Sequence, residues 1–336
     1  MALEAALARL VPEIEDRLRA FLDDLDFGQA GALKDMLVYH MGWGADDRGG
    51  RGKRVRPVLT LLCAGALGAD YSAALPAALG IEYLHNFTLI HDDVQDQSPL
   101  RHGRSTLWTR WGVAQAVNAG DALFSIAQLA MLGLGETCGE DVAARAAREM
   151  NRVCLHLTQG QYLDLAFEAD HEIDLATYMA MIRGKTAALI AFSSAMGGIA
   201  AGADEETVLR LSAYGESLGM AFQIQDDALG IWGDPQVTGK SAASDLLARK
   251  KSLPVLYGLQ DSEVFRALWH LEDPTADQIG AMAAALEACG ARRYVHEQAE
   301  GYTRRAFDHL AHLFPQQNED ATALAALTGR LLNRDY

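Results

Sequence analysis

The sequence contains little proline, few aromatic residues and fewer basic than acidic side chains. Only 8 of its 336 residues are Pro, and because Pro interrupts helices, this scarcity favours helical structure. Lys and Arg number 29 against 45 Asp and Glu, which gives a formal net charge of −16. Nucleic-acid binding requires a basic surface, so the charge argues against a nucleic-acid partner. A phosphorylated substrate would need metal ions or a local basic cluster to compensate.

The sequence also lacks the marks of an exported or membrane-inserted protein. Its four cysteines form no C-x-x-C motif and lie in apolar helical contexts, which is typical of buried thiols in a reducing compartment. The first turns are acidic and lack the basic segment of a signal peptide. The longest weakly polar run, 187–203, contains two serines and three glycines and is too short to span a bilayer. We expect a soluble cytoplasmic protein without stable membrane insertion.

Apolar residues recur every three or four positions along most of the chain, as in helices that bury one face. One such series is Val11, Ile14, Leu18, Phe21, Leu22 and Leu25. Alternating strand patterns bounded by turn residues are hard to find. Turn signals are sparse, and none resembles a long interdomain linker. The pattern predicts an all-α fold with a single domain over residues 1–336.

Two acidic clusters stand out because each follows an apolar helical stretch. Asp92, Asp93 and Asp96 form a D-D-x-x-D pattern, and Asp226 and Asp227 follow FQIQ. Positions four apart share one face of a helix, so Asp92 and Asp96 would project side by side. Like charges at this spacing need compensation, and a hard divalent cation with oxygen ligands would provide it. A single D-D-x-x-D match is weak evidence by itself.

Basic residues occur where an anionic substrate would need them. Lys53 and Arg56 are three apart and would share a helical face. The complete set is Lys53 and Arg56 in GKRVRP, Arg101 and Arg104 after the first acidic cluster, Lys185 in GKT, Lys240 in TGK, and the run Arg249, Lys250 and Lys251. Each of them, taken alone, is more often a surface charge. Together with carboxylate-bound Mg²⁺ they could hold a diphosphate and reconcile it with the acidic chain.

The order of these motifs resembles the trans-isoprenyl diphosphate synthases of the polyprenyl synthetase family. From about Gly52 to Pro254 the series reads GKRVRP, IEYLHNFTLIHDDVQD, RHGR, GKTAALI, FQIQDD, TGK and RKKSLP. No single element is specific, but the ordered series is. The resemblance implies an antiparallel helical bundle of the isoprenoid synthase type around a central prenyl pocket, and a homodimer. It also implies a prenyltransferase of isoprenoid biosynthesis that uses three Mg²⁺ ions to condense isopentenyl diphosphate with an allylic diphosphate.

The resemblance further implies a role for each matching residue. The metal ligands would be Asp92, Asp93, Asp96, Asp226 and Asp227. The allylic diphosphate would be held by Arg101, Lys185, Lys240 and Lys250. The isopentenyl diphosphate would be held by Lys53, Arg56, His85 and the side chain at His102. Thr186 and Gln223 would line the reacting carbons and form the catalytic set together with Lys185. Gln161 and Asp164 match a family segment near the pocket wall.

Two positions depart from the family pattern. Gly230 replaces the third aspartate of the second acidic motif, which leaves that cluster less acidic. His102 takes the second place of the usual Arg-Arg pair, whose side chain contacts isopentenyl diphosphate. Histidine is shorter than arginine and only partly charged near neutral pH, so this change bears on the affinity for the condensing substrate.

Product length is predicted from the helix that carries Asp92. Thr88 and Phe87 lie four and five residues before Asp92, one turn deeper. An aromatic residue at the fifth position alone resembles the enzymes that make geranylgeranyl diphosphate (C20). Farnesyl diphosphate (C15) or another chain length is the alternative, and Phe87 could equally be ordinary core packing.

Three other functions compete with condensation. A class I terpene cyclase would share the acidic metal cluster, but it would not need the complete G-K-x-x-R-P element, and the aromatic content is only 7%. A His-Asp phosphohydrolase is suggested by His91-Asp92, but no companion histidine motif follows. A partner subunit without catalysis is disfavoured because both acidic clusters persist.

Overall fold

The computed structural model describes residues 2–44, 52–169, 173–234 and 243–332. The predicted diphosphate ligand Lys240 lies outside these residues. The helices are α1 (Ala2–Asp23), α2 (Gly31–His40), α3 (Val55–Ala66), α4 (Leu75–Gln95), α5 (Leu107–Trp111), α6 (Val113–Leu132), α7 (Leu134–Cys138), α8 (Glu140–Ala169), α9 (Leu175–Ile182), α10 (Ala188–Ala200), α11 (Glu205–Trp232), α12 (Ser244–Leu247), α13 (Leu253–Asp261), α14 (Glu263–Trp269), α15 (Ala276–Ala288), α16 (Ala291–Leu313) and α17 (Glu319–Leu332).

Non-α elements are few in the described part of the chain. Short 3-10 turns occupy Gly28–Ala30 and Tyr71–Ala74, and a π-helical turn, Arg183–Ala187, joins α9 to α10. Strands β1 (Leu100–Arg101) and β2 (Arg104–Ser105) pair antiparallel as a small hairpin. The prediction of an all-α fold is confirmed.

The chain divides into two compact units, which are described separately. Unit 1 consists of Met1–Arg152, Phe192–Leu209 and Gln316–Leu324. Unit 2 consists of Val153–Ala191, Arg210–Pro315 and Ala325–Tyr336. Each unit is assembled from segments that are distant in the sequence. A single domain over residues 1–336 stays a prediction.

The core of unit 1 is built around the close packing of α4 on α6. A Cβ atom at Gly80 in α4 would lie 3.0 Å from the carbonyl oxygen of Ala127 in α6. A Cβ atom at Gly120 in α6 would lie 2.2 Å from the ring of His91. Glycine at these two positions therefore allows the helices to approach closely, and this contact holds the first acidic cluster at the end of α4.

One apolar helical stretch of unit 1 is long enough to cross a membrane. Val113–Cys138 spans 26 residues with a mean hydropathy of 1.3, and it is the only such stretch among the residues that the structure describes. Its Ala116, Leu123 and Ala127 are buried, and α6 packs on α4. The stretch is thus a core helix, as soluble helical proteins have. The run 187–203, considered from the sequence, contributes the shorter helix α10.

In unit 2, polar side chains mark the starts of several helices. The Asp174 carboxylate accepts from the Thr177 N–H at 2.6 Å before α9, and Ser262 Oγ accepts from the Phe265 N–H at 3.1 Å before α14. Thr275 and Gln278 form a reciprocal capping box at the start of α15. These caps satisfy backbone donors that have no partner inside the helix.

Helices α12 to α15 enclose an apolar cluster in unit 2. Leu246, Val255, Phe265, Met282 and Leu286 lie in it and are almost fully buried. A Cβ atom at Gly258 would lie 2.3 Å from a methyl carbon of Leu286, so α13 approaches α15 through a glycine. This cluster supports the segment around Lys250, between α12 and α13.

Candidate active site

The three aspartates of the first acidic cluster have different environments. Asp93 is 3% exposed, and Arg101 binds its Oδ1 through Nε at 2.9 Å and Nη2 at 2.8 Å. Burial raises the pKa of the Asp93 carboxyl, and the Arg101 guanidinium opposes this rise. Asp92 is half-buried, and Asp96 is exposed at the C-terminal end of α4. Asp92 and Asp96 therefore present the more accessible carboxylates, while Asp93 holds Arg101.

These carboxylates fit a metal that is bound jointly with substrate. Within the described ranges, no group of three His, Cys, Asp or Glu side chains could hold an ion by protein ligands alone. Mg²⁺ is commonly bound by one or two carboxylates together with substrate phosphates and water. The oxygen donors of Asp92 and Asp96, four residues apart on one helical face, match that chemistry. A diphosphate would have to complete the coordination.

A polar cleft in unit 1 lies beside the first acidic cluster. His40, His85, Asp93, Arg101 and His102 are among its lining residues. The structure thus brings together three predicted residues, His85, Arg101 and His102, and adds His40 from α2. His102 is exposed in the left-handed turn of the hairpin, with φ of 51°.

Arg56 and His85 form a linked pair next to this cleft. Arg56 Nη1 donates to His85 Nε2 at 3.0 Å. Burial, with the nearby charges of Arg56 and Arg101, holds the pKa of His85 well below its usual value, so the ring is neutral and can accept this bond. Arg56 Nε and His40 Nε2 are buried and have no hydrogen-bond partner among the described residues. Buried polar atoms of this kind are normally satisfied, so these two nitrogens are exceptions beside the cleft. Lys53 is exposed at the start of the same segment.

Arg54 fixes the segment between Lys53 and Arg56. Its side chain is almost fully buried, and it bonds Glu15 of α1 at 2.7 Å and Glu82 of α4 at 2.6 Å. Arg54 adopts a left-handed φ of 48°, which is rare for a residue with a Cβ atom. The two ion pairs therefore hold the backbone in a conformation that it would otherwise avoid.

In unit 2, the second acidic cluster lies on α11. Asp227 is fully buried, and its oxygens accept from the Tyr178 hydroxyl, from Gln223 Nε2 at 3.1 Å and from the Leu253 N–H at 3.2 Å. Burial raises the pKa of the Asp227 carboxyl, and Lys250 and these donors oppose the rise. Asp226 is half-buried. Asp226 is therefore the more accessible member of this cluster, while Asp227 joins α11 to α9 and α13.

Lys185 and Thr186 lie in the π-helical turn. Lys185 Nζ pairs with Asp164 of α8, and Thr186 Oγ1 donates to Gln223 Oε1 at 2.9 Å. Gly160 of α8 packs directly on this turn, because a Cβ atom there would lie 2.2 Å from the Lys185 nitrogen. The structure thus brings together Lys185, Thr186 and Gln223, the predicted catalytic set. Single π-helical turns are frequent at functional sites.

The three basic residues Arg249, Lys250 and Lys251 have different surroundings. Arg249 donates to the carbonyl oxygens of Trp269, at 2.6 Å, and Leu271. Lys251 Nζ donates to the carbonyl oxygen of Phe167. Lys250 is exposed to solvent. Desolvation by nearby protein atoms lowers the pKa of its ammonium, but the charges of Asp227 and Asp245 outweigh this effect and raise the pKa above its usual value. Of the three, Lys250 is the side chain whose charged form the second acidic cluster favours.

The predicted chain-length residues pack between helices of unit 1. The Phe87 ring lies 5.3 Å from the Phe124 ring of α6 and 4.7 Å from the His91 ring. Phe87 is half-buried, and Thr88 Oγ1 donates to the His85 carbonyl oxygen at 2.7 Å. An aromatic pair thus stands between α4 and α6, with Phe87 about one turn before Asp92.

Sequence reasoning missed residues that lie beside the predicted ones or that hold the segments carrying them. Tyr178, Glu15, Glu82, His40 and Asp245 belong to this set. Tyr178 and Glu15 lie far along the chain from the groups they contact, so no local spacing signals their role. Only Glu82 carried a signal, because it stands three residues before His85 inside the first acidic motif.

The chain is similar to known proteins over most of its length. Residues 48–288 match the family described as Polyprenyl synthetase. A (2E,6E)-farnesyl diphosphate synthase of Mycobacterium tuberculosis (strain ATCC 25618 / H37Rv) is 37% identical over 313 residues, which covers 89% of this chain and 85% of the relative. A geranylgeranyl diphosphate synthase of the same strain is 44% identical over 231 residues, which covers 68% of this chain and 65% of the relative.

Solved structures agree with these relatives. The polyprenyl synthetase from Streptomyces coelicolor A3(2) has a TM-score of 0.87 at 34% identity and covers 98% of this chain and 99% of its own. A polyprenyl synthase from Caulobacter crescentus CB15, complexed with calcium and isoprenyl diphosphate, has a TM-score of 0.82 at 29% identity, over 99% of this chain and 98% of its own.

The fold is that of the isoprenoid synthases, and the class of protein is a trans-prenyltransferase. The chain belongs to the polyprenyl synthetase family and elongates isoprenyl diphosphates. Enzymes of this family use divalent metal ions and take isopentenyl diphosphate and allylic diphosphates as substrates.

Proposed function

We propose that this enzyme condenses isopentenyl diphosphate with allylic diphosphates and stops mainly at geranylgeranyl diphosphate. The observation that carries this product length is the Phe87–Phe124 pair, which stands between α4 and α6 one turn before Asp92. A chain that grows along α4 would meet this aromatic pair as a floor, and Thr88 leaves space beside it. Farnesyl diphosphate is the second candidate, since relatives of both kinds have similar identity to this chain.

In unit 1, Asp92 and Asp96 would bind Mg²⁺ and Asp93 would orient Arg101 through its two hydrogen bonds. Arg101 would then bind the allylic diphosphate. The isopentenyl diphosphate would bind at Lys53, Arg56, His85 and His102. The hydrogen bond between Arg56 and His85 at 3.0 Å supports this assignment, because it brings two of these residues together beside the cleft.

In unit 2, Asp226 would bind a further Mg²⁺, and Asp227 would act through water. Lys185, Lys250 and Lys240 would bind the diphosphate of the allylic substrate. The Lys185 ammonium is oriented by Asp164, and the charge of Asp227 favours the protonated form of Lys250. Three Mg²⁺ ions in all would neutralise the diphosphate as it leaves.

The reaction follows from these roles. The C–O bond of the allylic diphosphate breaks, and its electron pair departs with the diphosphate, whose charge basic side chains would offset. The double bond of isopentenyl diphosphate attacks the allylic cation and forms the new C–C bond. The product cation then loses a proton to the departing diphosphate. Thr186 and Gln223, which are hydrogen-bonded to each other, would lie beside the reacting carbons.

The oligomeric state and the compartment are part of the proposal. The enzyme is expected to form a homodimer, as the family resemblance implies. The four cysteines are free thiols, and Cys63 is fully buried. Free thiols are typical of a reducing compartment, which supports a cytoplasmic location.

The function is tested by product analysis. The purified protein is incubated with isopentenyl diphosphate and each allylic diphosphate from C5 to C15, with Mg²⁺ or with chelator, and the products are measured by mass spectrometry. Mg²⁺-dependent C20 product supports the proposal. Consumption of the allylic diphosphate without isopentenyl diphosphate would instead identify a cyclase.

Product length is tested by Phe87→Ala. Removal of the ring opens the space against Phe124, so products longer than those of the wild type are expected. Phe307→Ala serves as the matched control, because Phe307 is a partly exposed residue of α16. An unchanged product distribution in Phe87→Ala would show that this ring is only core packing.

A further inference from the structure

The outer two of the three consecutive basic residues between α12 and α13 are bonded to the backbone of other elements of unit 2. Arg249 donates from Nη1 to the carbonyl oxygen of Trp269 at 2.6 Å, and from Nη2 to that of Leu271. Lys251 Nζ donates to the carbonyl oxygen of Phe167, in the last turn of α8. The middle residue of the run therefore lies between two side-chain attachments.

The acceptors of these bonds lie at or next to the C-terminal ends of helices. Trp269 is the last residue of α14, Leu271 follows it closely, and Phe167 stands near the end of α8. The last four carbonyl oxygens of a helix have no partner inside the helix, and basic side chains commonly bond them. The two attachments thus use acceptors that the fold itself provides.

The backbone of Arg249 adopts a conformation that needs support. Its φ is 54°, in the left-handed region that a residue with a Cβ atom seldom adopts. Its guanidinium also lies over the Trp269 ring, 5.2 Å from the ring centroid, which adds a cation–π contact. The two hydrogen bonds and the ring contact together hold the backbone turn immediately before Lys250.

The backbone around Lys250 is tied to the second acidic cluster. The Lys250 N–H donates to the Asp245 carbonyl oxygen at 2.9 Å, and the Leu253 N–H donates to the Asp227 carboxylate at 3.2 Å. The charges of Asp227, Asp245 and Asp226 raise the pKa of Lys250, so its ammonium lies within their electrostatic reach. Lys250 itself is exposed. The segment is fixed, and its middle basic side chain stays accessible to a ligand.

We propose that Arg249 and Lys251 are positioning residues that hold Lys250 for the diphosphate and do not bind the diphosphate themselves. A side chain on a segment that is already fixed loses less entropy on binding, which raises its affinity. The inference rests on the proposed function, since it assumes that Lys250 binds the diphosphate of the allylic substrate.

A double-variant cycle tests whether Arg249 acts through Lys250. Inorganic diphosphate is titrated by calorimetry, with Mg²⁺, into the full-length wild type, Arg249→Met, Lys250→Met and the double variant. Partners that orient groups of a metal site typically change affinity by about 10–100-fold, so Arg249→Met should weaken binding by at least about tenfold. The double variant should bind within about threefold of Lys250→Met, because no ammonium remains for Arg249 to position.

The cycle also separates position from charge. If the charge of Arg249 acted on the diphosphate directly, its effect would persist without Lys250, and the two losses would multiply. Arg249→Lys keeps the charge but cannot donate to both carbonyl oxygens through a planar fork, so it should still bind diphosphate more weakly than the wild type.

Arg266→Met is the matched control. Arg266 is an exposed arginine of α14 that also donates to two carbonyl oxygens, those of Leu259 at 3.0 Å and Gln260 at 3.3 Å. These bonds do not involve the segment around Lys250. The control variant should therefore keep the diphosphate affinity of the wild type. Lys251→Met, combined with Lys250→Met in the same way, should repeat the pattern of Arg249→Met.

The outcomes separate this inference from the proposed function. Thermal unfolding by circular dichroism first establishes that each variant is folded. A wild type without Mg²⁺-dependent diphosphate binding, or Lys250→Met with the affinity of the wild type, would contradict the proposed function itself. Wild-type affinity in Arg249→Met, or losses that multiply in the double variant, would overturn only the positioning role. If Arg249→Met does not fold, the cycle with Lys251→Met decides.

Discussion

Replacement of Arg54 by Met should strongly destabilise the protein, because it leaves two carboxylates buried without their cation. Arg54 Nε binds Glu15 at 2.7 Å, and Nη1 binds Glu82 at 2.6 Å. The side chains of Arg54, Glu15 and Glu82 are only 2%, 10% and 4% exposed. Water can therefore replace little of the lost interaction. Met has a similar length but no charge, so the change removes the ion pairs more than the packing.

The magnitude follows from the burial. Removal of one partner from a buried ion pair costs about 3–5 kcal/mol, because the remaining charge is left uncompensated. Hydrogen bonds from Trp43 to Glu15 at 2.7 Å and from Asn86 to Glu82 at 3.1 Å remain, and they keep the cost within this range. Since about 1 kcal/mol shifts the melting temperature by roughly 2–4 °C in a domain of 150–250 residues, a drop of at least ~6 °C is expected.

The assay compares thermal unfolding of Arg54→Met with that of Arg293→Met. Arg293 lies 3.9 Å from Glu297 with 81% of its side chain exposed, so its loss should change stability by less than about 1 kcal/mol. Arg54 also stands between Lys53 and Arg56, so the variant should raise the KM for isopentenyl diphosphate more than that for the allylic substrate. A melting temperature equal to that of the control would refute the reasoning.

Two further predictions concern packing and pH. Gly160→Ala should lower activity and stability, because its Cβ atom would lie 2.2 Å from the Lys185 nitrogen. Gly301→Ala should be tolerated in the same thermal and kinetic assays, because its Cβ atom would lie 3.8 Å from the flexible side chain of Arg305. Burial lowers the pKa of His40 in the folded protein to about 3. The unfolded chain therefore takes up this proton at a higher pH than the folded protein, and stability falls as the pH decreases below about 6.5. Acidification to pH 5 should lower the free energy of unfolding by about 2 kcal/mol through this group. Urea unfolding of His40→Gln should therefore depend less on pH than that of the wild type. An unchanged dependence of stability on pH would contradict the role of His40.

The first acidic motif shows how far sequence reasoning reached. The D-D-x-x-D spacing correctly predicted three aspartates at one end of a helix, because helical periodicity is a local property. It did not distinguish Asp93, which is buried against Arg101, from the exposed Asp96. Burial depends on which other segments cover each position, and in this case the hairpin that carries Arg101 decides it.

The second acidic motif shows the same difference between what a local pattern predicts and what tertiary contacts decide. The sequence marked Gly230 as a missing carboxylate, and only the structure revealed that Asp245 stands against it. Fifteen residues separate the two positions, and no spacing rule relates them. The packing of α12 on α11 creates the contact.

The sequence by itself determined the helical class, the enzyme family and the residues that carry charge, because periodicity and an ordered series of motifs are written along the chain. The tertiary structure alone decided which charges are buried as supports and which face solvent. Glu15, Arg54 and Glu82 come from three distant segments and meet only because α1, α3 and α4 pack together. The strength of a charge–charge interaction depends on separation and on exclusion of water, and folding sets both quantities.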